Sequence, residues 1–121
     1  MVEIFEAYVD GSCWKKEESS LGRMCYYIPK MNIVSVWEEK VVSHNEAEYR
    51  AIEKLLKDYS ENNFIIYSDS KVTVEQLNYN FFLKNDLLRE YALRIWGLTK
   101  GRNVKFEWVP RKENKAGKVL G

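Results

Sequence analysis

The sequence is poor in cysteine, with Cys13 and Cys25 the only two in 121 residues. That excludes a disulfide-stapled secreted scaffold, and with His44 the single histidine there are too few ligands for a zinc site. Two reduced thiols in a cytoplasmic protein are the expectation. No apolar run approaches the ~20 residues that cross a bilayer, and the Met1-Val2-Glu3 start lacks the basic-then-apolar pattern of a secretion signal. A surplus of one charge is missing too. With 19 Lys and Arg against 18 Asp and Glu the net is +1, so any polyanion partner must be argued from local features. There is no Gly-rich phosphate loop, which speaks against a small-ligand α/β domain. No repeat, low-complexity tract or linker divides the chain, so residues 1–121 are expected to form one domain.

What is present is patterned. Residues 2–9 suit a strand and run into Asp10-Gly11-Ser12, which reads as a turn, followed by a polar loop over residues 15–20. Residues 23–28 and 33–37 are strand-rich runs around Pro29-Lys30-Met31-Asn32, an antiparallel hairpin. From Asn45 the period changes: Ala51, Ile52, Leu55, Leu56 and Tyr59 make a helix stripe. Residues 64–67 form a short apolar strand ending at Ser68-Asp69-Ser70. Val72, Val74 and Leu77 suggest a short helix. Leu88, Tyr91, Ala92, Ile95 and Leu98 mark a longer one, capped by Asn85 or Asp86. Residues 104–109 alternate as a strand, and residues 111–121 suit about two turns of helix. The order βββαβααβα implies an α/β fold: a mixed five-stranded sheet, three antiparallel strands and then parallel ones, with helices packed on it.

Three carboxylates stand out. Asp10 and Asp69 each follow the carboxyl end of an apolar strand, the edge where open α/β sheets place ligands. Taken singly, each is equally a turn or cap residue. Glu48 is more informative. It lies three residues before Ala51, four before Ile52 and seven before Leu55, so it falls on the core-facing stripe, while Glu46 and Glu53 are free to face solvent. An inward carboxylate needs compensation, either a salt bridge or a shared cation. If Asp10, Glu48 and Asp69 converge without a basic partner, a hard divalent cation relieves their repulsion, and such sites act on phosphate esters.

Tyr8-Val9-Asp10-Gly11-Ser12, then Asn45-Glu46-Ala47-Glu48-Tyr49-Arg50-Ala51-Ile52, then Tyr67-Ser68-Asp69-Ser70, then Phe106-Glu107-Trp108-Val109-Pro110-Arg111 with Asn114 resemble type 1 ribonuclease H. The match is in order and spans nearly the whole chain, in the compact form without a basic protrusion. The resemblance implies a ribonuclease H-like fold and a metal-dependent endonuclease cleaving the RNA strand of RNA–DNA hybrids. It implies Mg²⁺, or Mn²⁺, held by Asp10, Glu48 and Asp69 as catalytic residues. Substrate contacts are implied at Gly11, Ser12, Asn45, Ser70, Lys71 and Arg111, with Asn45 reading the minor groove or capping its helix. Lys15 and Lys16 are further basic residues near the site, equally readable as solvated surface. No membrane and no obligate protein partner are implied, and the chain is expected to be a monomer.

One departure bears on activity. The family's fourth carboxylate falls four residues after the position of Asn114, at Lys118, or at Gly117 if the register slides by one, and no acidic residue follows Glu113. A non-catalytic hybrid-binding domain with the same fold is therefore the alternative.

Overall fold

The computed structural model describes residues 2–16, 19–79 and 84–120. Five strands form one sheet in the order β3-β2-β1-β4-β5. They are β1 (Ile4–Lys16), β2 (Ser19–Ile28), β3 (Ile33–Lys40), β4 (Asn63–Ser68) and β5 (Val104–Trp108). The first three are mutually antiparallel, and β4 and β5 join parallel to β1. Helices α1 (His44–Asp58), α2 (Lys71–Leu77), α3 (Asp86–Thr99) and α4 (Lys115–Leu120) complete the expected βββαβααβα order.

Local chemistry sets the helix ends. Ser43 caps α1 by accepting from Glu46 N–H, Ser70 caps α2 through Thr73 N–H, and Asn85 caps α3 through Leu88 N–H. Asn45 is therefore not the cap of α1, because Ser43 already stands at the cap position. The α1 stripe buries Ala51, Ile52, Leu55 and Leu56 against the α3 stripe of Leu88, Tyr91, Ala92 and Ile95. Ala7, Val9, Phe64 and Ile66 close the core from the sheet.

Two expectations are corrected at the start of the chain. Asp10-Gly11-Ser12 is not a turn, and of the loop expected over residues 15–20, residues 15–16 and 19–20 are strand while residues 17–18 lie outside the described ones. Strand β1 runs straight through, pairing with β2 from Tyr8↔Tyr27 to Lys16↔Ser19. The β1–β4 ladder, by contrast, ends at Tyr8↔Tyr67. Past Tyr8, β1 keeps one neighbour and loses the other. Asp10 thus lies within a strand, at the notch where β4 has stopped. The side chains of Lys15 and Lys16 lie outside the described ones.

Candidate active site

Gly11 sets the depth of the site. A Cβ there would lie 2.5 Å from the Ala47 carbonyl carbon and 2.7 Å from Glu48 N, so glycine lets α1 press directly onto β1. This approach brings Glu48 to the strand. Gly11 N–H donates to Glu48 Oε1 at 3.1 Å, and the Ser68 hydroxyl donates to Oε2 at 3.0 Å. Successive residues of a strand point to opposite faces. With Gly11 turned to α1, Asp10 turns to the other face, where α4 covers it.

Asp69 leaves the end of β4 beside them. Its position is fixed by Asn114, fully buried, whose Nδ2 donates to Asp69 Oδ2 at 3.2 Å and to Val9 O at 2.9 Å. Asn114 Oδ1 accepts from Ala116 N–H at 3.0 Å, tying the start of α4 into the same arrangement. On the far side, Trp108 Nε1 donates to the Asp69 carbonyl at 3.2 Å, and Val109 N–H donates to Ser68 O at 3.0 Å. The last strand therefore braces the turn that carries Asp69.

Carboxylate oxygens of Asp10, Glu48 and Asp69 all lie within 4.8 Å of one another. Asp10 and Glu48 are only 6% and 3% exposed, so their repulsion is poorly screened by water. Among the described residues, none of the three takes part in an ion pair. Burial, then the charge of Asp10 and its hydrogen bond, then Asp69 hold the Glu48 carboxyl well above the usual carboxylate range. Asp10 is raised too, by burial first, with the Asp69 charge adding and the Glu48 hydrogen bond and Arg111 opposing. A buried acidic set of this kind is neutralised either by a retained proton or by a cation, and an all-oxygen donor set suits Mg²⁺ or Mn²⁺. The residues present fit such a cation.

The sequence profile of the RNase H family matches residues 3–117. The chain belongs to the RNase H family. No curated protein matches it by sequence. Among solved structures, the RNase H1 of the halophilic archaeon Halobacterium salinarum is 21% identical, with 98% of this chain and 94% of that one covered at a TM-score of 0.75. LC11-RNase H1 in complex with an RNA/DNA hybrid is 21% identical, with 97% and 99% covered and a TM-score of 0.78. LC11-RNase H1 isolated from compost by a metagenomic approach is 21% identical, with 96% and 91% covered and a TM-score of 0.79. At such identities the likeness establishes the fold, and the mixed five-stranded sheet is the one expected.

Around the carboxylates, the remaining residues of this RNase H family member divide by whether their polar atoms are already engaged. Gly11 N–H is used by Glu48, and the Ser70 hydroxyl is used by Thr73 at the start of α2. Ser12 and Asn45 are half-exposed, on β1 and on the first turn of α1. Lys71 is exposed, its Nζ 5.8 Å from the Trp108 ring centroid, and Arg111 is exposed on the turn before α4.

Of Gly117 and Lys118, the two positions the sequence leaves for a further carboxylate, Gly117 is the one beside Asp10. A Cβ on Gly117 would lie 3.3 Å from Asp10 Oδ2. Lys118 instead is exposed and borders a groove along the sheet.

Glu46 corrects the reading that it faces solvent. It is 4% exposed, accepting from Val42 N–H at 2.7 Å, from the Tyr91 hydroxyl at 2.8 Å and from Arg50. Burial pushes its carboxyl up, but these hydrogen bonds and the Arg50 charge prevail and hold it below its ordinary value. The signal was present as Ser43-x-x-Glu46, a capping-box spacing. His44 faces β1, accepting from Cys13 N–H at Nδ1 (3.1 Å), so it fastens α1 to the strand.

Proposed function

We propose that this chain is a divalent-cation-dependent endonuclease that cleaves the RNA strand of RNA–DNA hybrids, slowed by the lack of a carboxylate at position 117. The observation that carries this reading is the meeting of Asp10, Glu48 and Asp69, two buried and the third half-buried, with none of them in an ion pair among the described residues. Membership of the RNase H family supports the reaction class. A relative solved with an RNA/DNA hybrid supports the substrate.

Asp10, Glu48 and Asp69 would hold Mg²⁺, with Mn²⁺ as a substitute. When bound, such cations activate water for attack on the phosphodiester and stabilise the leaving oxygen. The chain itself supplies rigidity. Gly11 N–H and the Ser68 hydroxyl hold both oxygens of Glu48, while Asn114 and Trp108 hold Asp69 by its carboxylate and its peptide. Pre-fixed ligands lose little freedom when charge develops in the transition state. Lys71 and Arg111 lie at the rim, where they meet backbone phosphates. Asn45 and Ser12 face the hybrid's minor groove, whose exposed 2′-hydroxyls distinguish RNA from DNA. Gly11 contributes by allowing close approach and Ser70 by orienting α2. We take the chain to act as one domain and as a monomer in the cytoplasm.

Gly117 favours one second reading, a domain that binds hybrids without turning them over. A nicking assay on labelled hybrid in Mg²⁺ and Mn²⁺ separates the two. Slow cleavage confined to the RNA strand, abolished by Asp10→Asn, supports the enzyme. Hybrid binding with no cleavage, even in Gly117→Asp, supports the binding domain.

A further inference from the structure

We propose that the groove between the Tyr8–Tyr67 ring pair and α4 holds a single-stranded continuation of the RNA strand whose phosphodiester lies at the carboxylates, an inference that rests on the function proposed above. Tyr8 and Tyr67 are register partners, the last pair before the β1–β4 ladder ends. Their rings stack with centroids 5.0 Å apart and planes 25° from parallel. The groove beside them has a volume of about 440 Å³ and is bordered by Lys112, Glu113, Lys115 and Lys118. Lys115 Nζ stands 5.4 Å from the Tyr8 ring centroid. Among the described residues, none of the three lysines forms an ion pair, although Glu113 borders the same space. The Tyr67 hydroxyl is already spent on Glu6, at 2.8 Å, so the pair offers ring surface rather than a polar handle.

Position gives this groove its meaning. Asp10 lies two residues beyond Tyr8 on β1, so strand alternation puts that ring and that carboxylate on one face, about 7 Å apart along the strand, while Asp69 follows the end of β4 beside them. A strand held at the carboxylates passes its next nucleotides over the rings. Aromatic faces and unpaired ammonium groups together are what an unpaired strand requires, since its bases are free to stack and its phosphates need neutralising. A duplex would offer phosphates but no base faces. When a base takes the Tyr8 ring, Lys115 exchanges its place above the ring for a phosphate. The lysines come from the turn before α4 and from α4 itself, the same helix that places Gly117 against Asp10, so the groove and the cluster share a wall.

The test is equilibrium binding in EDTA, by fluorescence polarisation, of the intact chain. The probes are a blunt hybrid, the same hybrid with an RNA-strand overhang at either end, the hybrid with a DNA-strand overhang, and single-stranded RNA alone. An RNA-strand overhang at one end should tighten binding by about fivefold or more, the contribution of one stacked base with its phosphate contacts. Lys112→Gln, Lys115→Gln and Lys118→Gln combined should remove that gain. They should also lower the log–log salt slope for the overhang by about two, because three single-strand phosphate contacts contribute about 0.7 each. Tyr67→Leu should weaken overhang binding while blunt-hybrid affinity holds. No gain from either RNA overhang, an equal gain from the DNA overhang, or a gain untouched by the lysine substitutions would each overturn the proposal. Failure of the blunt hybrid to bind would instead defeat the function proposed above. Single-stranded RNA binding, compared between the wild type and the lysine variant, would still decide the groove.

Discussion

Gly117 points at Asp10: a side chain begun there starts 3.3 Å from Asp10 Oδ2. A shift of one residue around a helix turns a side chain by about 100°, so this relationship chooses between the two registers that the sequence leaves open. Gly117→Asp should raise RNA-strand nicking in Mg²⁺ or Mn²⁺ by about tenfold or more, since one well-placed charged group is worth about 1.4 kcal/mol or more at the transition state. In EDTA the same substitution should lower thermal stability, because a fourth carboxylate joins an unneutralised set. Lys118→Asp should do neither. Rescue by Lys118→Asp alone would move the gap one residue along.

The raised carboxyls predict how stability changes with pH. Glu48 in the folded chain holds its proton well above its ordinary value of 4.5, whereas in the unfolded chain it releases it near that value. Between those two points the folded state binds more protons, so stability falls as pH rises. Asp10 acts in the same sense, by burial first. Glu46, held low, acts in the opposite sense, but its window lies below about 4.5. Thermal melts in EDTA should therefore show stability declining as pH rises above about 4.5. Mn²⁺ should flatten that decline, and Glu48→Gln should flatten it without metal. A melting temperature in EDTA that rises across this range would contradict the assignment.

Gly11→Ala tests the contact that delivers Glu48. The added methyl meets the backbone of Ala47 and Glu48 at 2.5–2.7 Å, and backbone cannot swing aside as a side chain tip does. The helix must shift, at a cost of about 2–3 kcal/mol, measurable by urea denaturation. Hybrid nicking should drop with it, even at temperatures where the variant is fully folded, because Glu48 moves with α1.

Asn114 joins residues more than a hundred positions apart, Val9 and its own neighbourhood, and holds Asp69 on the way. Asn114→Ala should cost about 2–4 kcal/mol, since the Val9 carbonyl and Ala116 N–H lose a buried partner. Asn114→Asp is nearly isosteric yet should be no milder in EDTA, because a donor to two acceptors becomes a further negative charge beside Asp69. Denaturation with and without Mn²⁺ distinguishes the two effects, as only the second is relieved by cation.

Much of this arrangement was legible in the sequence for identifiable reasons. Element order followed from the change of hydrophobic period at Asn45, and Glu48 from its place on the α1 stripe. Asp10 meets Glu48 and Asp69 as expected, but from within a strand rather than from past its end. Asp-Gly-Ser reads as a turn, whereas Gly11 is needed for close helix contact inside a strand that continues to Lys16. Glu46 reads as solvent-facing from the sequence because its partner Tyr91 comes from a different helix, 45 residues on, and no periodicity reports that. Asn114 marked the register of the last motif, but its bonds to Val9 and Asp69 exist only once the sheet is assembled. Residues whose role depends on a neighbour within a turn or two were readable; those whose partner arrives by tertiary packing were not.

Calorimetric titration with Mn²⁺ tests the central claim most directly. The account predicts saturable binding to the wild type, with protons released as the metal replaces the one held by Glu48, and binding reduced by about tenfold or more in Asp10→Asn, Glu48→Gln and Asp69→Asn. Binding of equal strength in the wild type and all three variants, or no proton release on binding, would contradict it.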